Sequence, residues 1–410
     1  MVSQTAASLS PPRRRGPHGS PPSPFTFWRR RILLGAGLTL LIFFGYLATT
    51  LVMYLTDPSY GISLSARAAE WGRSHGLGPI VVWAENEQVQ LNPAKQGGAP
   101  PKNAFGSGTS TVNVPKSGHL PAPERLVSPA GSPLPDEGVW HVAGRTTASG
   151  IPTVYEAFVR TDPLHTSYVA GVAWMDPNVL KAQLYSGSQI PGPGTYTYTA
   201  PVKYNATKSL VAAFNAGFRM QDAHGGYYTD GHIVNGLTMR KGAASAVIFK
   251  DGALGVGMWG RDFSFAKTKG IVSVRQNLNL IVDDSKVVPG LNTRDQSVWG
   301  QTLGGTAFVP RSGMGVTKNG AVVYVAGSTL SITSLAHILQ LAGCVRAMEL
   351  DINNDWVQYS TFRAPIGKAI SGGSGHSLLS TMPGTPSRYF VSSWARDFFT
   401  MSLRTTTTAK

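Results

Sequence analysis

Three carboxylates and two amides fall within seven positions of the stretch AMELDINNDW: Glu349, Asp351, Asn353, Asn354 and Asp355. In a chain only 14% charged, that density needs a cause. The apolar residues before it have the character of a strand, in which residues two apart share a face at about 6.5 Å along the axis. Glu349 and Asp351 are therefore predicted on one face and Met348 and Leu350 on the other. Asn353 extends the polar row if the strand continues. Two same-face carboxylates suit acid/base work at a glycosidic bond, or the binding of a hard divalent cation such as Ca²⁺ or Mg²⁺. A spacing near 6.5 Å lies at the boundary between retaining and inverting geometries and favours neither. The competing account is a polar strand end whose Asp and Asn side chains only close turns.

Two further groups have chemical character. In AAFNAGFRMQDAHGGYYTDGHIVNG an apolar strand opens into a polar, Gly-rich loop, the usual setting for a site. Asn215 there could donate to a sugar hydroxyl or a phosphate oxygen, and Gly217 would let the backbone come close. The alternative for Asn215 is a turn cap. Asp222, His224, Asp230 and His232 lie in the same loop, but no HxH or HExxH spacing supports a metal, so the histidines read as solvated. The second group is VPRSGMGVTKNGAVVYVAG, where Arg311 starts a strand and could grip a phosphate bidentately or form a plain ion pair. Cys344, alone in the chain and set in an apolar run, is expected to be a small buried hydrophobe. GGSGHS, Gly372 to Ser377, lacks the spacing of a serine-hydrolase elbow, and no P-loop is present.

These groups must be positioned by short elements. Strands are predicted in TVYEAFVRT, YVAGVAWM, SLVAAFNAGF, SAVIFKDGALGVGMW, VRQNLNLIVDD, GMGVTKNGAVVYVAG and AMELD. Asp251-Gly252 and Asn319-Gly320, each between apolar alternations, are hairpin turns. Helices are predicted at Pro177–Gly187 and Ser331–Gly343, the latter with Leu335, Ile338, Leu339 and Ala342 on one face and Gly343 as its stop. A ragged apolar face suggests a further short helix within 60–90. The fold class is α+β: a single mixed-sheet domain with few helices, preceded by a transmembrane helix and a disordered linker.

Ile32 to Leu55 carries no charge and, at 24 residues, reaches about 36 Å, enough for a hydrocarbon core of roughly 30 Å. Six arginines precede it and few charges follow, which places the N-terminus in the cytoplasm and the rest outside. A signal peptide would have a shorter apolar region, so an uncleaved anchor is expected. The predicted layout is a basic disordered cytoplasmic tail at 1–31, the span at 32–55, a juxtamembrane segment and Pro/Gly/Ser-rich linker at 56–136, a folded domain at 137–400 and a disordered tail at 401–410. The net charge of +15 is partly concentrated before the span and otherwise scattered, with no Lys/Arg stripe interleaved with aromatics. That argues against nucleic acid and for a lipid bilayer and acidic envelope polymers as partners.

Taken in order, the NAGF strand end, the RSGMGVTKNGAVVYVA hairpin and SLAHILQLAGCVRAMELD resemble the phosphodiester glycosidase family, over roughly Leu210 to Asp355. The AMELDIN ending is similar to a bacterial membrane-anchored subgroup. The resemblance implies a hydrolase that cleaves a sugar-1-phosphodiester in an envelope glycopolymer or glycolipid. By position it aligns Asn215, Arg311 and Asp351 with the family's Asn, Arg and Asp. Arg311 would hold phosphate, Asn215 with Gly217 and Asn353 would contact substrate, and Asp351 with Glu349 would supply acid/base or cation-binding groups. The chain departs where the family has a Gly-Gly-Gly-Ser loop and Ile352 to Trp356 stand instead. Side-chain amides replace some hydrogen bonds there but not the close approach that glycine allows. A non-catalytic glycan-binding or polysaccharide-assembly module is the alternative on the same fold.

Overall fold

The computed structural model describes residues 24–91, 93–106, 117–291, 296–300, 307–391 and 393–404. The expected N-terminal tail up to residue 23 and the last six residues of the C-terminal tail lie outside these. The chain divides into units 1–53 and 54–410. Helix α1 (Pro24–Thr56) dominates the first. Its stretch Phe27–Thr56 is long and apolar enough to cross a membrane, as suits an anchor or a signal sequence.

The second unit contains α2 (Leu64–Ser74), α3 (Gly78–Leu91), α4 (Tyr204–Thr207), α5 (Met220–Ala223), α6 (Gln296–Trp299), α7 (Ile332–Leu341) and α8 (Arg388–Val391). Among the described residues, three antiparallel sheets carry the rest. The largest runs in the order β1 (His141–Ala143), β2 (Val154–Arg160), β3 (Val169–Met175), β14 (Val322–Leu330), β13 (Val309–Thr317), β15 (Cys344–Glu349), β11 (Leu280–Asp283), β12 (Lys286–Val287). A second runs β17 (Gly375–Ser377), β16 (Tyr359–Phe362), β5 (Leu210–Asn215), β18 (Phe398–Leu403), β4 (Leu180–Tyr185). The third runs β7 (His232–Ile233), β6 (Tyr227–Thr229), β10 (Ile271–Gln276), β8 (Ala244–Phe249), β9 (Leu254–Met258).

Period-two alternation sorts the large sheet's side chains into two cores. Val322, Tyr324 and Ala326, with Met314 and Met348, pack against Phe214, Tyr359 and Phe399 of the second sheet and Ala246 and Ile248 of the third. Val323, Val325 and Ala347 face the other way, onto Leu335, Ile338 and Leu339 of α7. Helix α7 starts where Ser331 Oγ accepts the Ser334 N–H at 2.9 Å, and Gly343, at φ +84°, turns the chain directly into β15. Cys344 is buried in that layer, and burial pushes its thiol up. The α+β class and the Asp251-Gly252 and Asn319-Gly320 hairpins are present as predicted.

One element differs. Residues Pro177–Gly187, expected to be helical, contain strand β4, paired along its whole length with β18. Leu180, Ala182 and Leu184 are buried in the core on alternate positions. Leu180 and Leu184, four apart, also fit one face of a short helix, and sheet pairing, which lies outside the local sequence, decides between them. Around 60–90, two helices rather than one form. Of the Asn92–Asp136 linker, Asn92 and 107–116 lie outside the described residues. Nearby, Glu137 is fully buried and accepts from Ser128 Oγ, Leu134 N and Arg160 N at 2.7–2.8 Å.

A lone acid lies between the sheets. Glu156 is 5% exposed, and its Oε1 accepts from Thr361 Oγ1 at 3.2 Å. Burial pushes its carboxyl up to about 7, against weaker pulls from Thr361 and Arg363. The unfolded chain releases this proton near 4.5, so between there and about 7 the folded state holds more protons. Stability is therefore expected to fall as pH rises through that window, by up to roughly 3 kcal/mol. Glu156→Gln should flatten the slope. Urea unfolding at about pH 5 and about pH 8 measures it, and an unchanged slope in the variant would locate the titration elsewhere.

Candidate active site

Strand β13 lies between β14 and β15 and pairs Gly313 with Glu349 and Met314 with Met348. At the end of this ladder Ser312 clasps the following turn: its N–H and Oγ both donate to Asp351 O, at 3.0 and 2.8 Å, and its own carbonyl accepts Leu350 N–H at 2.8 Å. The strand stops at Glu349. Asp351 Oδ1 then accepts Asn353 N–H at 3.0 Å, and Asn353 Oδ1 accepts Asp355 N–H at 2.9 Å. The polar burst is thus a pair of successive side-chain-closed turns, and Asn353 does not extend the strand's polar row.

The structure gathers the sequence candidates but gives them different tasks. Arg311, 2% exposed, donates from Nε to Leu330 O at 2.9 Å and pairs through Nη1 with Glu349, which is 1% exposed. Burial raises the Glu349 carboxyl even with Arg311 beside it. Asn215 is saturated: Nδ2 donates to Ala216 O and Ser312 Oγ at 2.8 and 3.0 Å, while Oδ1 accepts from Tyr324 OH and Gln358 N at 2.8 and 3.1 Å. Gly217 does permit a close approach, but by protein: a Cβ there would lie 2.5 Å from Asn277 Oδ1. That same oxygen accepts Phe218 N–H at 3.0 Å, and Asn277 Nδ2 donates to Glu349 O at 2.9 Å. Asn215, Gly217, Arg311 and Glu349 therefore lock the ends of β5, β13 and β15 together.

Asp351 and Asn353 instead line a cavity of about 260 Å³, together with Phe218, Arg219, Asp222 and Arg396. Burial raises the Asp351 carboxyl, against the pull of Arg396 and of the Asn353 N–H. Helices α2 and α3 close the cavity with Arg73, Val82 and Glu85, and an Arg73–Glu85 ion pair joins the two helices. A larger groove of about 840 Å³, bordered by Tyr185, Tyr198, Asp230 and Lys250, contains none of Asn215, Arg311, Glu349 or Asp351. Chemistry therefore favours the smaller cavity. His224 and His232 are exposed. Among the described residues no cluster of three His, Cys, Asp or Glu is placed to hold a metal ion.

Two arginines that the sequence did not single out dominate the cavity's electrostatics. Arg219 directly follows the NAGF turn, whose Phe218 carbonyl accepts from Arg275. Arg396 directly precedes Asp397, which is fixed by Arg275 Nε at 2.8 Å and whose carbonyl accepts Ala216 N–H at 3.1 Å. Trp356 lies 4.6 Å from the Arg396 guanidinium, ring to cation. Arg219 adjoins a motif already marked as interesting and was findable by its position; nothing local to SWARD marks Arg396.

Residues 208–351 match the phosphodiester glycosidase family model. No curated protein sequence matches the chain. Among solved structures, the chain is similar to the catalytic domain of zebrafish N-acetylglucosamine-1-phosphodiester alpha-N-acetylglucosaminidase, auto-inhibited by its pro-peptide. Identity is 16% and the TM-score 0.41, over 72% of this chain and 97% of that one. It is also similar to a hypothetical protein from Synechocystis, at 12% identity and TM-score 0.31, over 62% of each chain.

Proposed function

We propose that this chain, whose residues 208–351 match the phosphodiester glycosidase family, is a membrane-anchored extracytoplasmic hydrolase that cleaves the sugar-1-phosphate side of a phosphodiester. The substrate class is an envelope glycopolymer or glycolipid. Helix α1 serves as a single-pass anchor in the plasma membrane with its N-terminus in the cytoplasm. The observation that carries this reading is the meeting of Asp351, Asn353, the buried Arg396 and the half-buried Arg219 in one cavity, at the end of the family-matched segment. Asp351 is the acid/base candidate at the glycosidic oxygen, and the arginines supply charge for a phosphate. Glu349, Arg311, Asn215 and Gly217 act one layer back by fixing the strand ends, and Glu349 is left out of the proton-transfer step.

A second reading also has an observation behind it. Of the two carboxylates expected to work together, only Asp351 lines the cavity, and Ile352 to Trp356 close turns where the family it resembles has a glycine loop. A cavity without the expected Glu349–Asp351 pair suits a glycan-binding or assembly module. The two separate in one assay. The purified full chain should release free sugar from UDP-N-acetylglucosamine or a methyl-phospho-sugar. Retained glycan binding without turnover would overturn the hydrolase in favour of the module.

A further inference from the structure

The strongest unassigned feature of the molecule is a carboxylate in an unusual place. Glu70, on α2, is 2% exposed and lies against two arginines from the far end of the fold. Arg219 Nη2 pairs with Glu70 Oε1, and Arg396 Nη2 lies 3.6 Å from Oε2. Although burial works the other way, Arg396 and Arg219 hold this carboxyl below the usual range. Both arginines line the cavity beside Asp351.

The fit is electrostatically apt but geometrically incomplete. Arg396 is 6% exposed, yet its Nε and Nη1 find no hydrogen-bond partner among the described residues, and neither does Glu70 Oε2. Buried guanidinium N–H groups left unmade are costly. A planar carboxylate carries two oxygens: one pairs with Arg219 Nη2, which still makes no hydrogen bond of good geometry, and the other stays 3.6 Å from Arg396. A phosphodiester carries two non-bridging and two ester oxygens on a tetrahedral centre, so it can reach both forks from a position nearer Arg396. Stacking on Trp356, from the segment that replaces the family's glycine loop, holds the Arg396 guanidinium in place.

We propose that Arg219 and Arg396 form the seat for the phosphate group of the substrate, and that Glu70 occupies this seat as a tethered competitor. This rests on the phosphodiester hydrolase reading and names its phosphate-binding residues, in place of Arg311, whose guanidinium is spent on Glu349 and Leu330. Binding then requires the phosphate to displace Glu70. The apparent affinity is lowered by the fraction of molecules in which α2 holds the site. Trp356 is a positioning residue for Arg396.

The test uses the full chain, with inorganic phosphate as probe against potassium chloride of equal ionic strength. Glu70→Gln keeps the shape and removes the charge. It should bind phosphate with a Kd lower than that of the wild type by at least about tenfold, and show a larger phosphate-dependent rise in Tm. Adding Arg396→Met to that variant should abolish both gains. If Glu70→Gln does not fold without phosphate, Glu70→Asp, one methylene shorter with its charge kept, carries the same expectation at smaller size. Equal phosphate responses in wild type and Glu70 variants overturn the proposal, as does a gain that survives Arg396→Met. Sugar release is scored separately. Its absence in every variant sinks the hydrolase reading while the phosphate response still decides the seat. Turnover with an unchanged phosphate response keeps the hydrolase and removes the seat.

Discussion

Replacing Asp351 by Asn is expected to lower kcat/KM for sugar release by roughly two to four orders of magnitude while leaving Tm nearly unchanged. Both halves of that expectation come from geometry. Asp351 holds the turn through its main-chain carbonyl, clasped twice by Ser312, and through Oδ1, which accepts the Asn353 N–H. Asn retains the carbonyl and a side-chain oxygen acceptor, so the turn survives. What it lacks is an exchangeable carboxyl proton in the cavity. Steady-state kinetics on protein checked by thermal melting reads the two effects apart. Wild-type turnover in the variant would remove Asp351 from the proton-transfer step and leave the cavity's other carboxylates, Asp222 and Glu85, to be tried.

The largest stability effect is expected at Arg311 and Glu349. Each is almost fully buried, and each is the other's only ion-pair partner among the described residues. Glu349→Gln leaves a guanidinium charge in a low-dielectric layer between β13 and α7, and Arg311→Met strips a buried carboxyl, already raised by burial, of its cation and forces it to take up a proton. Either single change should cost about 3–5 kcal/mol. The double variant Arg311→Met/Glu349→Met should cost much less than the sum, because it buries no stranded charge. Glu349 Oε2 already lacks a hydrogen-bond partner among the described residues, so the native pair is not fully compensated and an apolar replacement loses little. Urea unfolding of the four proteins forms a double-mutant cycle. Additive losses would show that the two side chains act independently. Since β13 and β15 carry Ser312 and Asp351 at their adjoining ends, the single variants should also lose activity through a shifted cavity.

The local periodicities that survived folding are those with one dominant neighbour. Helix α7 is amphipathic against a single sheet face and has its own cap and stop, so its limits follow from Ser331 and Gly343. The Asp251-Gly252 and Asn319-Gly320 turns carry their conformational demand in two residues. Strand β4 failed this standard. Its apolar residues at every second position became a strand only because β18, more than two hundred residues later, pairs with it. At the strand end, the expectation that Asn353 extends the polar row required the strand to continue, and the side-chain-closed turn from Asp351 to Asn353 ended it first.

What the sequence determined by itself is the apolar N-terminal helix, an α+β domain, and a family resemblance that the 208–351 match independently finds. Those depend on hydrophobic period, turn chemistry and ordered short motifs, all properties of contiguous residues. Tertiary structure alone decided which polar groups are structural and which face a ligand. Arg311 and Glu349 cancel one another, Asn215 is consumed by four hydrogen bonds, and Asp351 reaches the cavity. It also decided that Glu70, Arg219 and Arg396 meet. Charge acts through space, and no spacing along the chain encodes the few ångströms that separate residues from three distant segments once the sheets have closed.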